Sequence, residues 1–329
     1  MAVTISDIAK KLDVSPSAVS KILNNKGHFS EELRKRVLQT ADEMQYIPNI
    51  MAKNLQHKST SIIGIIIPDI SEIFFSGVVN SIESYLYEQG YQIFLCNSHE
   101  DVEKEIDCVN QLYANRVGGI ILATVRNEIP EDDLLFRGDI PVVFFDNVPK
   151  TTKTVNSVCT DNYDVGKYAA EQLIINRHKK IAAIMGKQSE SGAYDRYCGF
   201  SEVLSKHGID FEGRFCDFKE DSAYEATKEL LAKDDYSAFF VASSKMLHGA
   251  LKAFREAKKK IPEDISVIGV DVADPYDTMF FSITSILQSE RKMGQLCSEL
   301  LLNQMKNENT PKTYHVPFTV TEKNSIKKL

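Results

Sequence analysis

Residues 4–23 read TISDIAKKLDVSPSAVSKIL, and the spacing within them decides the architecture of the first part of the chain. Thr4 with Asp7 three positions on is a capping-box pattern, and Ile5, Ile8, Ala9 and Leu12 follow at helical spacing. A second helix opens with Ser15 as its cap and Pro16 at the first helical position, where the N–H has no intrahelical partner in any case. Val19, Ile22 and Leu23 give it one apolar face. After the polar turn Asn24-Asn25-Lys26-Gly27, Ser30 starts a third helix through Leu33, Val37, Ala41 and Met44, stopped by Tyr46-Ile47-Pro48. Helix, short turn, helix is a helix-turn-helix arrangement, with Ser15, Pro16, Ser17, Ser20 and Lys21 on the expected exposed face of the second helix. Small hydroxyls and one long cation suit a major groove, where lysine can donate to guanine O6 or N7. Lys10, Lys35 and Arg36 would hold backbone phosphates. A plain three-helix bundle with a polar surface has the same local pattern.

Charge separates this segment from the rest. Residues 1–60 hold nine Lys/Arg against six Asp/Glu, and the remainder holds 30 against 40, so a positive head precedes an acidic body. The 329 residues predict two or three domains, and 43% hydrophobic with 26% charged residues is a globular composition. Six cysteines, at positions 96, 108, 159, 198, 216 and 297, form no CxxC pair, so neither a zinc site nor a disulfide framework is expected. The N-terminus lacks a basic region followed by an apolar one, and no apolar run approaches the roughly 18 residues of a membrane span. A cytoplasmic protein without membrane contact is expected.

Beyond residue 60, apolar runs alternate with helical stretches, the rhythm of parallel sheets with crossover helices. Residues 62–67, 91–96, 117–123 and 141–146 read as strands of one sheet, and 181–186, 215–218, 238–242 and 265–271 as strands of a second. The expected fold is an all-α helix-turn-helix head followed by a two-lobed α/β core of two doubly wound sheets. In such sheets a ligand sits outside the carboxyl ends of the strands, so the cleft between lobes is the default site. Phosphate-binding GxGxxG and P-loop patterns, HExxH and GxSxG are all missing, and the seven histidines are dispersed; His178 and His207, near helix ends, read as exposed or dipole-stabilised. No enzyme, cofactor or metal is expected.

The blocks Thr4–Ala9, Val14-Ser15, Ala18–Asn24, Tyr46–Asn49, Ala52–Leu55, Ile63-Gly64, Pro68–Ser71, Val117–Ile121, Asp161-Asn162 and Pro262–Asp271 resemble the lactose/galactose repressor family of bacterial transcriptional regulators. The body is also similar to periplasmic sugar-binding proteins. The resemblance implies a repressor of periplasmic-binding-protein-like build: a helix-turn-helix domain at 1–48, a hinge helix and linker at 49–60, and two core lobes. The first lobe would take 61–161 plus about 289–318, the second 162–288 plus about 319–329. It implies a homodimer reading a pseudo-palindromic double-stranded DNA operator, with a small sugar-like effector in the cleft. DNA contacts carry over to Thr4, Ser15, Pro16, Ser17, Ser20, Lys21, Asn24, Tyr46, Asn49, Ala52, Lys53 and Leu55. Effector contacts carry over to Ile70, Ser71, Phe74, Asp146, Arg196, Phe218, Ser243, Asp271 and Gln288.

Several positions depart from the family pattern. Pro16 in a base-reading position offers apolar contact but no hydrogen bond, and Lys53 stands where many relatives carry arginine. Ser243-Ser244-Lys245 replaces an Asn-Asp or Thr-Asp pair, and a glycine before His178 and a proline before Ile283 are missing. A phosphorylated metabolite or a protein co-regulator, as in the carbon-catabolite branch of the family, is the alternative effector. The resemblance makes Leu55 an apolar wedge for a minor-groove base step. Leu55→Gly is expected to keep fold and dimer while losing most discrimination between operator and random duplex, a ratio read directly by competition binding.

Overall fold

The computed structural model describes residues 3–46, 61–138, 140–272, 283–307 and 311–329. The chain divides into two units, Met1–Ser59 and Thr60–Leu329. In the first, helices α1 (Ile5–Leu12), α2 (Pro16–Leu23) and α3 (Glu31–Glu43) enclose a small core of Ile8, Ala9, Val19, Ile22, Val37 and Ala41. The capping box is formed: Thr4 N–H and Oγ1 donate to Asp7 Oδ2 at 2.8 and 2.7 Å, and Asp7 N–H donates to Thr4 Oγ1 at 3.3 Å. Ser15 Oγ accepts from Ala18 N–H, Pro16 occupies the first turn of α2, and Ser30 Oγ accepts from Leu33 N–H. Each helix therefore starts where its sequence provides an acceptor for an orphan amide.

The second unit holds two six-stranded sheets. The first contains β1 (Ile62–Ile67), β2 (Gln92–Asn97), β3 (Gly119–Leu122), β4 (Val142–Phe145), β5 (Asn156–Thr160) and β11 (Thr313–Val316), in spatial order β11-β5-β4-β3-β1-β2 and parallel throughout. The second contains β6 (Ile181–Met185), β7 (Phe211–Phe215), β8 (Ala238–Val241), β9 (Ser266–Val270), β10 (Thr284–Leu287) and β12 (Thr319–Thr321), in order β12-β10-β9-β8-β6-β7. Here β12 runs antiparallel to β10 at the edge. Central strands such as IIGIII in β1 and AFFV in β8 are buried on both faces, the mark of a parallel sheet sandwiched by helices. The covering helices are α4 (Ile73–Glu88) and α5 (Val102–Ala114) on the first sheet. On the second they are α6 (Asn162–Ile175), α7 (Ser191–Lys206), α8 (Glu220–Lys233) and α9 (Ser244–Glu256). Helix α10 (Glu290–Met305) returns to the first lobe, where Met293, Cys297 and Leu301 join its core. The chain thus passes between lobes three times: after β5, after β10, and between β11 and β12.

Two sequence expectations are corrected. The strand expected at 215–218 lies at Phe211–Phe215, paired from Ile181↔Phe211 to Met185↔Phe215. It is an edge strand of half-buried polar and apolar residues, FEGRF, so its apolar signal was weak. His178 is neither exposed nor a dipole partner: it is buried, its Nδ1 2.9 Å from Ser237 Oγ and its Nε2 3.0 Å from the Lys327 carbonyl, and desolvation lowers its pKa. It ties the C-terminal segment to the second sheet.

Helices α6 and α7 cross at two glycines. A Cβ on Gly166 would lie 1.9 Å from the Arg196 carbonyl oxygen, and one on Gly199 would lie 2.0 Å from that of Tyr163. Both obstacles are backbone, so neither can swing aside. Gly166→Ala is expected to force the helices apart at a cost of about 1–3 kcal/mol, measurable as a lower urea midpoint for unfolding of the core.

Candidate functional site

Arg196, on the second turn of α7, is the buried centre of the inter-lobe cleft. Its Nε donates to Asn162 Oδ1 at 2.7 Å and its Nη1 to the Ala242 carbonyl at 2.7 Å, which fixes the guanidinium from two sides. Around it is an open-mouthed space of about 690 Å³ lined by Phe74, Asp146, Phe218, Ser243, Asp271 and Gln288, among others. Nearly every lining residue follows the carboxyl end of a strand or opens the next helix.

Four of these wall positions are non-glycine residues in left-handed backbone: Glu100 at φ 60°, Asp146 at 63°, Phe218 at 61° and Asp271 at 53°. Such conformations are uncommon and turn each side chain sharply away from its strand axis. Asp271 Oδ1 accepts from Gln288 N–H at 2.8 Å and Oδ2 accepts from Gln288 Nε2 at 2.7 Å. The Phe218 ring lies on the backbone of Gly186, where a Cβ would come within 2.0 Å of it. Ser243 Oγ accepts from Met246 N–H, so it caps α9 as well as facing the cleft.

Ile70 and Ser71 are not on the cavity wall. The turn after β1 closes on Asp69, whose carboxylate takes both the N–H and the hydroxyl of Ser71, and Ile70 is left 47% exposed. In their place the cleft brings in Glu72, Glu100 and Glu190, with Phe75, Thr124 and Asn147. Lys245 bridges to Asp69 at 2.6 Å and Lys187 to Glu100 at 3.0 Å, each pair joining the two lobes. Ser191 N–H and Oγ both donate to Asn147 Oδ1, a third cross-lobe tie. The sequence does not say which loops face each other, so these partners carried no signal in it.

Burial dominates the electrostatics. It pushes the carboxyls of Glu72 and Glu190 up to about 7, against the pull of Lys245 and Lys187 respectively, and Asp146 up to about 6 against that of Arg196. Asp271 is also raised by burial, opposed by Arg196 and Gln288. Among the described residues, no group of three His, Cys, Asp or Glu side chains could hold a metal ion, and no helix is long and apolar enough to cross a membrane.

On the head, Pro16, Ser17 and Lys21 are exposed and Ser20 is half-buried, all on one face of α2. The hydroxyls of Thr4 and Ser15 are engaged as caps, the Asn24 amide donates to the Ser20 carbonyl at 2.8 Å, and Tyr46 packs against the head core. Lys10, Lys35 and Arg36 are exposed. Asn49, Ala52, Lys53 and Leu55, with the whole expected hinge helix, lie outside the described residues.

Comparison with known proteins decides the family. Residues 4–49 match the model for bacterial regulatory proteins of the lacI family, and residues 60–324 that for periplasmic binding proteins and the sugar-binding domain of the LacI family. The chain belongs to the LacI family. It is 33% identical to the ribose operon repressor of Halalkalibacterium halodurans, over 92% of this chain and 90% of the relative. It is 32% identical to the transcriptional repressor PurR of Photobacterium profundum, over 93% of each. Among solved structures, the Lac repressor dimer bound to operator and the anti-inducer ONPF is similar with a TM-score of 0.87 and 25% identity, covering 99% of this chain and 100% of that one. The CelR–cellobiose complex gives 0.75 at 25% identity, covering 98% and 99%. As a LacI-family member the chain is a non-enzymatic DNA-binding regulator with an effector-binding core, and its head and two-sheet body have that family's fold.

The raised carboxyls fix a pH dependence. Glu190 titrates near 4.5 in an unfolded chain and near 7 in this cleft, so between those values the folded state binds more protons and stability falls as pH rises. Glu190→Gln removes that loss. Its melting temperature is expected to match the parent's near pH 5 and to exceed it increasingly towards pH 8, as read by thermal unfolding across the range.

Proposed function

We propose that this protein is a cytoplasmic homodimeric repressor that sets α2 into the major groove of a pseudo-palindromic operator and is switched by a small hydroxyl-rich effector in the inter-lobe cleft. The observation that carries the effector half is the fixed guanidinium of Arg196 among Asp146, Asp271 and Gln288, with the Phe218 ring on one wall. Carboxylates and an arginine grip hydroxyls, and an aromatic ring covers an apolar sugar face. The ribose operon repressor and the cellobiose-bound CelR point to the same ligand class. The phosphorylated-metabolite reading loses ground here, because a phosphate would enter a cleft where Glu72, Glu100, Asp146, Glu190 and Asp271 already gather.

The head reads bases through Pro16, Ser17, Ser20 and Lys21, and holds phosphates through Lys10, Lys35 and Arg36. Thr4 and Ser15 act by fixing helix ends, and Asn24, Tyr46, Asn49, Ala52, Lys53 and Leu55 complete the contact set. The chain entering from the head becomes β1, the strand beside the Asp69 turn, so a ligand that draws the lobes together alters the frame from which the head is presented. A tenfold change in operator affinity needs a ligand that prefers one lobe arrangement by about 1.4 kcal/mol.

Operator selection followed by salt-dependent binding of the full-length chain tests this. Lys21→Ala is expected to relax preference at one base pair of each half-site at a cost of about 1–3 kcal/mol. Lys35→Ala should weaken all sequences alike and flatten the salt slope by roughly one phosphate contact. No selected pseudo-palindrome from any pool, at low salt, would overturn the reading.

A further inference from the structure

The hydrogen-bonding inventory of the cleft is lopsided. Its walls present the carboxylates of Glu72, Glu100, Asp146, Glu190 and Asp271, while its cations are already engaged: Lys245 with Asp69, Lys187 with Glu100 and, at 3.4 Å, Glu190. Arg196 spends its Nε and Nη1 on Asn162 and Ala242. Glu72 and Asp146 take no side-chain hydrogen bond from any described residue.

A second observation is independent of charge. Gln288 lines the cleft and is 8% exposed, its Nε2 is turned to Asp271 Oδ2, and its Oε1 is buried and without a partner among the described residues. The carboxylate of Asp271 fixes which way the amide points, because only the NH₂ end can donate to it. A buried acceptor without a donor costs about 1–3 kcal/mol, so the occupant of this cleft is one that supplies donors. A neutral sugar supplies donors but leaves the excess negative charge. An ammonium supplies up to three donors and removes a charge as well.

We infer that the effector is a small polyhydroxylated amine of the aminosugar kind, its ammonium held between Glu72 of the first lobe and Glu190 of the second and its hydroxyls directed to Asp146, Arg196, Asp271 and Gln288. The inference rests on the effector-cleft reading above and narrows it to a ligand class. It also gives the ammonium a mechanical role, since Glu72 immediately precedes α4 and Glu190 immediately precedes α7, and one cation bound to both draws two lobes together. Neither helix start carries a side-chain cap bond, so the Glu72 carboxyl has no partner among the described residues and that of Glu190 has only Lys187 at 3.4 Å.

The test is calorimetric titration of the full-length protein at pH 7 with four probes: D-glucosamine, N-acetyl-D-glucosamine, D-glucose and D-glucose 6-phosphate, followed by the galactose counterparts. The amine is expected to bind about tenfold or more tightly than its acetylated and neutral partners, a difference of roughly 1.4 kcal/mol. In the double variant Glu72→Gln, Glu190→Gln that ratio should fall to about one. Because the comparison among probes uses the parent chain, it stands even if the variant does not fold. A neutral sugar binding as tightly as the amine overturns the amine assignment and leaves the effector cleft standing. Binding by none of the probes at ~10 mM, in a protein that still holds its operator, overturns the effector reading and the amine assignment with it.

Discussion

A parallel sheet buried on both faces leaves its strands no room for chemistry along their length. Every hydrogen-bonding group of the backbone is used in the ladder, and each side chain meets a covering helix. In both lobes this constraint drives polar function to the strand ends. The buried runs 63–67 and 238–241 are wholly apolar, and the first side chains able to grip a ligand appear where these strands stop, at Asp69 to Glu72 and at Ser243 to Lys245. Two sheets with their carboxyl ends opposed make one cleft from nine such stops.

The strain and charge of the cleft follow from that placement. A chain leaving a strand must turn at once, and at Glu100, Asp146, Phe218 and Asp271 it does so through left-handed backbone on residues with a Cβ. The rigid helices behind them, above all α6 and α7 locked by Gly166 and Gly199, hold these turns in place. Carboxylates collected there lose water to burial, which is why Glu72, Asp146 and Glu190 hold their protons far above the usual carboxylate range. The lysines that tie the lobes make their shorter pairs with other acids, Asp69 and Glu100, and Lys187 also reaches Glu190 at 3.4 Å.

Much of this was legible in the sequence for physical reasons that can be named. Capping residues Thr4, Ser15 and Ser30 mark helix starts because orphan amides need acceptors, and apolar runs mark central strands because both faces are covered. The strands NSVCT, TSIL and TYHV escaped that signal. Their buried hydroxyls look like loop residues until partners distant in sequence satisfy them, as Thr313 does for Ser157 at 2.9 Å and the Lys323 carbonyl for Thr284 at 2.9 Å. In the cleft, family resemblance supplied Arg196, Asp146, Asp271 and Gln288. It missed Glu72, Glu100 and Glu190, which read as ordinary surface acids until the second lobe covers them. Ile70 and Ser71 lie off the cavity wall for the opposite reason, because the local turn on Asp69 engages Ser71 and leaves Ile70 exposed.

The three passages between lobes also bear on how the chain is made. The first sheet begins at Ile62 but gains β11 only at Thr313–Val316, and Met293, Cys297 and Leu301 of its core come from α10. A ribosome adding about 5–20 residues each second needs on the order of tens of seconds between those points. From its own synthesis until then β5, paired only with β4, is the edge of the first sheet, and part of that sheet's apolar face lies bare. The second lobe can assemble most of its sheet in the meantime, from β6 through β10. In synthesis, then, the lobe that starts first is completed late, and a nascent chain of this architecture depends on its last fifth to close both halves.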